Sequence, residues 1–288
     1  MNETTTESYQ ARLERVFDHI DRHLDETLGL DELSRLANFS KFHFHRLFTA
    51  HAGLGVVRYI QLKRLKRASY RLVFEERLRI IDIALEAGFE NPESFSRAFK
   101  RNFGQTPSQF RRAPAWQPWT EQTRLPSRER MQTMQVKIID FEETPVAVLE
   151  HRGSPALVND SARQFIAWRK ASGLSPVATS RTFGIAYDDP ETTEAAQFRF
   201  DICGSVQQPV PENPQGVINK LIPGGLCAVL RHLGSHDHIG ESAWYLYREW
   251  LPQSGEELRD FPLFFHYVNL IPETPEHELV TDIHLPLK

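Results

Sequence analysis

The feature that most limits what this 288-residue chain can fold into is an internal repeat. Residues 40–53, SKFHFHRLFTAHAG, and 91–104, NPESFSRAFKRNFG, coincide when one is slid by 51 residues, so that Phe44 meets Phe95, Arg46 meets Arg97, Phe48 meets Phe99 and Gly53 meets Gly104. The same shift pairs Asp31 with Asp82, Leu33 with Ala84 and Ala37 with Gly88 upstream, and Tyr59 with Phe110 downstream. A fixed offset over about thirty residues marks a duplicated structural unit. Each copy reads as a short helix, a turn, and a second helix stopped by glycine, which is the pattern of a helix-turn-helix.

The flanking sequence fits that reading. Leu13, Val16, Phe17, Ile20 and Leu24 share one face of a helix predicted over 9–26. His19 and His23 have the spacing of two metal ligands, but no third ligand is nearby, and a solvated helix flank accounts for them. Ser40 is a suitable N-cap for the second helix of the first copy, and Pro92 suits the first turn of its counterpart. Between the copies, residues 56–75 read as one long helix. Leu62, Leu65, Ser69 and Leu72 form its buried stripe, and Lys63, Arg64, Lys66, Arg67 and Arg71 occupy its other faces. A continuous helix fixes the distance between the two units.

Charge separates the chain into two halves. Residues 1–112 hold 19 Lys/Arg against 15 Asp/Glu, leaving 15 against 23 for the remainder, so a net charge of −4 conceals a basic half and an acidic half. The basic half suits a polyanion. No apolar run reaches membrane-spanning length, and MNETTTESYQ lacks the regions of a secretory signal, so a cytoplasmic location is expected. Cys203 and Cys227 make no disulfide framework and read as small buried hydrophobes.

Three prolines and two tryptophans without periodicity mark 113–133 as a linker, partly packed through Trp116 and Trp119. Beyond it the hydrophobic period changes to that of strands, and a second repeat emerges at an offset of 81: AVLEHRGS at 147–154 aligns with AVLRHLGS at 228–235, and Asp201-Ile202 with Asp282-Ile283. The expected fold is therefore α+β. An all-α double helix-turn-helix domain (9–112) is joined through the linker to an α+β domain (134–288) of two pseudo-twofold β-α-β-β repeats. The seam of such a duplication is a natural place for a ligand. His232, His236 and His238 fall at a strand-to-helix turn without a fourth ligand, so loop polarity explains them and no metal or cofactor is expected.

In a helix-turn-helix the second helix enters the DNA major groove, and residues near its N-terminus reach base edges. The candidates are Phe42, His45 and Arg46 in the first copy, and Glu93, Ser94, Ser96 and Arg97 in the second. Arginine grips guanine, a carboxylate accepts from cytosine, and an aromatic edge meets the thymine methyl. Lys41, Lys100, Arg101 and the basic face of the long helix are expected to hold phosphates. Phe44, Leu47, Phe48, Phe95 and Phe99 read as core.

On these residues, and above all on AGFENPESFSRAFKRNFGQTPSQFR, residues 9–112 resemble the two-headed DNA-binding domain of AraC/XylS-family transcription regulators. The resemblance implies double-stranded DNA as partner, both recognition helices in successive groove segments, and contact with RNA polymerase. The FHFH run at 42–45 departs from the readers common in that family.

Residues 135–288 resemble the GyrI-like small-molecule-binding domain, through FGIAYDDPETTEAAQFRFDICGSV, WLPQSGEELRDFPLFFHYVN and ELVTDIHLPL. That resemblance implies a cationic or amphipathic aromatic effector received by an acid on the last strand, carried over as Asp282, with Trp244, Tyr247 and Tyr267 as walls and Tyr187 as a further aromatic candidate. Alternation in TDIHL sets Asp282 and His284 opposite Thr281, Ile283 and Leu285. The expected function is an effector-responsive, non-enzymatic DNA-binding regulator, acting as a monomer or homodimer. The alternatives are a hydrolase pairing Asp282 with Tyr187 or Tyr267, or a protein-interaction module that binds gyrase. No catalytic triad is evident.

Overall fold

In a computed structural model, which describes residues 3–123 and 134–288 with side chains from Gln10 onward, both copies of the first repeat start and stop on the same backbone devices. Helix α3 (Lys41–Ala52) begins where the Ser40 hydroxyl accepts from the His43 amide, and α6 (Pro92–Phe103) where the Asn91 side chain accepts from Ser94. Each ends on a glycine in the left-handed region, Gly53 at φ 71° and Gly104 at φ 72°, a conformation that strains any residue with a Cβ.

The turns before these helices are not identical. In the first, Asn38 takes the left-handed conformation after α2 (Leu30–Leu36); in the second, Gly88 does so after α5 (Ile80–Glu86). Phe39 donates back to Ser34 as Phe89 does to Ala84. Upstream of the turn the copies are therefore 50 residues apart, and the second turn is one residue longer. The sequence pairings Leu33 with Ala84 and Ala37 with Gly88 are corrected to Leu33 with Ile83 and Ala37 with Ala87.

Each head has its own core. Leu13, Phe17, Phe44, Phe48 and Tyr59 fill the first; Leu72, Ile83, Phe95, Phe99 and Phe110 fill the second. Helix α1 (Glu3–Arg22) covers the first head, and α4 (Val56–Phe74) runs through both, giving Val56 and Ile60 to one and Leu65 and Leu72 to the other. After α7 (Pro107–Arg112), the start of the expected linker is helical: α8 (Trp116–Thr123) buries Trp116 and Trp119 in the second core, stacked edge-on against Phe110 and Tyr70. Two large rings outweigh the local lack of periodicity. Residues 124–133 of that linker, and Met1 and Asn2 of the stretch read for a secretory signal, lie outside the described residues.

Among the described residues the chain divides into two compact units, 1–130 with 275–277, and 131–274 with 278–288. The second unit is an eight-stranded antiparallel sheet ordered β1-β6-β8-β7-β3-β4-β2-β5. Its first copy contributes β1 (Val136–Phe141), β2 (Thr144–Arg152), α9 (Val158–Ser172), β3 (Thr182–Ala186) and β4 (Arg199–Ser205). The second contributes β5 (Ile218–Ile222), β6 (Gly225–Leu233), α10 (Ile239–Tyr245), β7 (Phe264–Tyr267) and β8 (Val280–Pro286). Strand β5, an INKLI stretch between proline-rich turns, was not expected, so each copy has the order β-β-α-β-β. Helix α10 passes through a π-helical stretch (Leu246–Trp250) into α11 (Leu251–Ser254), just ahead of Pro252, which cannot donate a backbone hydrogen bond.

The copies exchange their first strands: β1 pairs with β6 of the second copy, and β5 with β2 of the first. Strands β3 and β7 join the copies in the middle. One sheet face packs Ala147, Leu149 and Ile202 beneath α9, and Leu230, Phe265 and Ile283 beneath α10. The other face holds Phe141, Val148, Phe183, Cys203, Cys227 and Phe264. Both cysteines are free and buried, and burial pushes the Cys227 thiol up to about 11.

Candidate nucleic-acid interface and ligand face

The caps and the phenylalanine pairs orient α3 and α6. With Phe44 and Phe48, or Phe95 and Phe99, turned into the core, the opposite helix face must meet solvent. Lys41, Phe42, His45 and Arg46 are exposed on α3, as are Glu93, Arg97, Lys100 and Arg101 on α6, while Ser94 and Ser96 are partly exposed. Phe42 is 61% exposed, a large ring with no core to enter. The Arg46 guanidinium lies 4.6 Å from its centroid, a cation–π contact. Lys41 is paired with Asp31, and the Ser94 hydroxyl donates to the Asn91 carbonyl as part of the cap. Among the described residues, the side chains of Arg97, Lys100 and Arg101 have no ion-pair partner.

The basic residues of α4 are placed otherwise than expected. Lys63 and Lys66 are buried, with Lys63 held 3.1 Å from Asp21. Arg64 donates to the carbonyls of Leu24 and Glu26 and lies over Gly88, where a Cβ would come within 2.6 Å of its Nη1. Arg67 donates to the Glu86 carbonyl, and Arg71 pairs with Glu75 and Glu86. The expectation that this face holds phosphates is corrected: Lys63, Arg64, Lys66, Arg67 and Arg71 of α4 satisfy carbonyls and carboxylates inside the helical unit. Periodicity assigned the stripe correctly, but long basic side chains reach partners that are remote in sequence.

In the sheet unit the alternation in TDIHL holds: Ile283 and Leu285 pack on the α10 side, whereas His284 stacks on Phe264 at 4.7 Å on the other face. Asp282 shares the His284 face and is gripped by Arg231 through two hydrogen bonds of 2.7 and 2.8 Å. That grip holds its carboxyl below the usual range, although burial alone would raise it. Tyr267, however, stands opposite Thr281 in the β7–β8 register and joins Tyr247 among residues packed on the α10 side. Burial raises both phenols. Trp244 is on α10, beneath Arg248 at 4.2 Å. The expected single pocket, with Asp282 as floor and Trp244, Tyr247 and Tyr267 as walls, is therefore corrected: acid and aromatic walls lie on opposite faces of the sheet.

Tyr187 is on the Asp282 face, but it serves the other acid. Its hydroxyl donates to Asp201 at 2.9 Å. Asp201, the counterpart of Asp282 across the offset of 81, is fully buried and also accepts from Lys220 at 2.6 Å and Arg152 at 3.1 Å. Arg199, locked to Asp188 by two bonds of 2.9 Å, lies with Arg152 and Lys220 within 6 Å of the Tyr187 ring. Asp201 is a site residue that the candidates read from sequence lack, although the repeat pairs it with Asp282. Each of the two duplicated acids thus already holds a cation of this chain.

Four histidines have structural partners of direct bearing on the fold. His151 links Ser161 at 2.8 Å and the Ser154 carbonyl at 3.0 Å, and His232 repeats this with Ser242 and Ser235 at 2.9 and 3.0 Å. Each imidazole pins the start of its helix to the end of the preceding strand. His19 stacks on His23 and pairs with Glu32. Among the described residues no cluster of three metal-ligating side chains occurs, and no helix is long and apolar enough to cross a membrane.

Comparison with known proteins assigns the two units separately. Residues 134–288 match the GyrI-like small molecule binding domain, and residues 33–113 a helix-turn-helix domain family. Over 155 residues (54% of this chain) the sequence is 53% identical to the probable transcriptional regulator YgiV of Escherichia coli strain K12, covering 97% of it. Over 106 residues (36% of this chain) it is 36% identical to the regulatory protein SoxS of Salmonella typhimurium, covering 96% of that protein. The transcriptional regulator Rob of the same species is 30% identical over 171 residues, 58% of each chain.

Proposed function

We propose, for a chain that belongs to the GyrI-like small molecule binding domain family and carries a helix-turn-helix domain besides, that it is a one-component transcription regulator whose acidic half senses a small molecule. The observation that carries the DNA-binding part is the solvent face of α6, where Arg97, Lys100 and Arg101 stand without ion-pair partners among the described residues while Phe95 and Phe99 are fully buried. Unpaired cations on a rigid, capped helix are what a phosphate backbone and a base edge require.

In this reading, Arg97, with Glu93 and Ser96, contacts base edges in one groove segment, and Arg46, with Phe42 and His45, contacts them in another. Lys100 and Arg101 hold phosphates, joined by Lys41 once it leaves Asp31. Ser94 chiefly builds the cap that aims the helix. RNA polymerase is the proposed downstream partner. The hydrolase alternative has less support: neither tyrosine offered for it meets Asp282, since Tyr187 donates to Asp201 and Tyr267 is on the other face.

Selection of duplexes from a random pool by the full-length chain tests the proposal. A recurrent sequence is expected, with one base position losing its preference in the Arg97→Ala protein. Lys100→Ala should instead weaken all duplexes alike and flatten the salt dependence. Failure to enrich any sequence would sink the reading.

A further inference from the structure

Two donors on the Asp282 face are not engaged by acids. Arg181, just ahead of β3, donates to the Thr144 hydroxyl at 2.8 Å and lies over Phe183 and Phe141, 5.6 and 5.8 Å from their centroids. It is exposed and has no carboxylate partner among the described residues. His266 stands opposite Phe183 in the β3–β7 register, its ring 5.0 Å from that phenylalanine, and its nitrogens have no hydrogen-bond partner among the described residues. The same ring, Phe183, thus underlies a guanidinium and an imidazole. His266 is lowered first by burial and then by the positive charges of Arg181 and Arg231, with Asp282 opposing, so these groups share one field.

The acids around them are already occupied. Arg231 grips Asp282 with both nitrogens, and Lys220, Arg152 and Tyr187 surround Asp201. A cationic ligand would have to displace an intramolecular cation from either acid while facing Arg181 across a low-dielectric floor. An anion would meet an unpaired fork donor and an imidazole N–H, held over buried rings.

We propose that the Phe183 face of the sheet unit binds a small carboxylate, its oxygens on Arg181 and His266, which stand over the buried Phe183 ring. This rests on the reading that the acidic half binds a small molecule and names the charge of what it takes. Such a ligand leaves the Arg231–Asp282 pair intact beside it.

The test uses the full-length chain with three probes of one shape: naphthoate, naphthylmethylammonium and naphthamide. Calorimetric titration should give saturable binding of naphthoate, with the amide weaker and the ammonium weakest. Arg181→Gln should weaken naphthoate by about tenfold to a hundredfold, as expected for loss of a charge-assisted pair, while affinity for the amide stays nearly unchanged. His266→Gln should cost several-fold less. Arg181→Lys, which keeps the charge but not the fork, should recover part of the loss and guards against misfolding of the glutamine variant. Binding of the ammonium in preference to the carboxylate, or an unchanged naphthoate affinity in Arg181→Gln, would overturn the anion assignment while leaving a small-molecule site in place. Absence of binding for all three probes would count against both readings.

Discussion

The chain contains two duplications, and they are built in opposite ways. The helical copies keep separate cores, Phe44 and Phe48 in one, Phe95 and Phe99 in the other, and share only α4 and contacts such as Arg64 over Gly88. The sheet copies trade strands, so that β1 completes the second copy and β5 the first. Separate cores let two readers be altered one at a time. Interlocked strands make two halves rise and fall together, and they create a continuous face that neither half has alone.

The sharpest way to break that contrast is a core truncation. Phe99→Ala, at a fully buried ring, should cost about 3–5 kcal/mol. Hydrogen exchange should quicken through α5–α8 while α3 keeps its protection. Equal acceleration in α3 would mean that the heads form one cooperative unit.

The sheet should behave otherwise when acidified. Burial against Phe264 and Phe141 holds the His284 imidazole down to about 4, against an ordinary value of 6.5. The unfolded chain therefore binds that proton more readily. The contribution of this group is complete above the ordinary value and is lost as pH falls through about 4, roughly 3 kcal/mol in all. His266 is shifted in the same direction and steepens the loss. Urea midpoints measured across this range should fall toward acid and flatten in His284→Phe. Exchange should quicken in β2 and β4 as much as in β8; protection that survives in the first copy alone would separate the halves.

Between the two heads the contrast is finer. Arg97→Ala should weaken specific DNA binding by about 1–3 kcal/mol. Arg46→Ala should cost less, because its guanidinium already rests on Phe42; a larger loss at Arg46, by titration against the selected duplex, would reverse the order of the heads. The smallest effect belongs to the caps. Gly104→Ala meets no atom within 4 Å, so only the left-handed backbone penalty of about 1 kcal/mol remains. Gly53, with nearly the same φ, should give a similar shift in the denaturation midpoint if the heads share one design.

Much of this was legible in the sequence because it is local. The Phe44/Phe95 and Phe48/Phe99 pairs, the N-caps and the stop glycines lie within one helix, and their spacing carries the geometry. What escaped depends on partners distant in sequence. Whether Lys63 is a surface charge or a buried one depends on Asp21, and whether Asp282 is vacant depends on Arg231. Alternation placed Asp282 on its face correctly, but only the strand register shows that Tyr267 stands over Thr281 instead. Strand β5 was missed because five residues between prolines carry little period, and the extra residue in the second turn because one uniform shift cannot show a local insertion. Arg181 and His266 left no sequence signal: a lone arginine before a strand and a histidine within one become neighbours only when β3 meets β7.

The traded outer strands carry a consequence for how such a module can be inherited. Cut between β4 and β5, the sheet would yield two pieces, each with a bare rim where its borrowed strand had been, and each inclined to seek the other or a stranger. The smallest piece that can be moved from one gene to another is thus the pair, and a relative matched over 155 residues and 97% of its own length has room for one such module and little more.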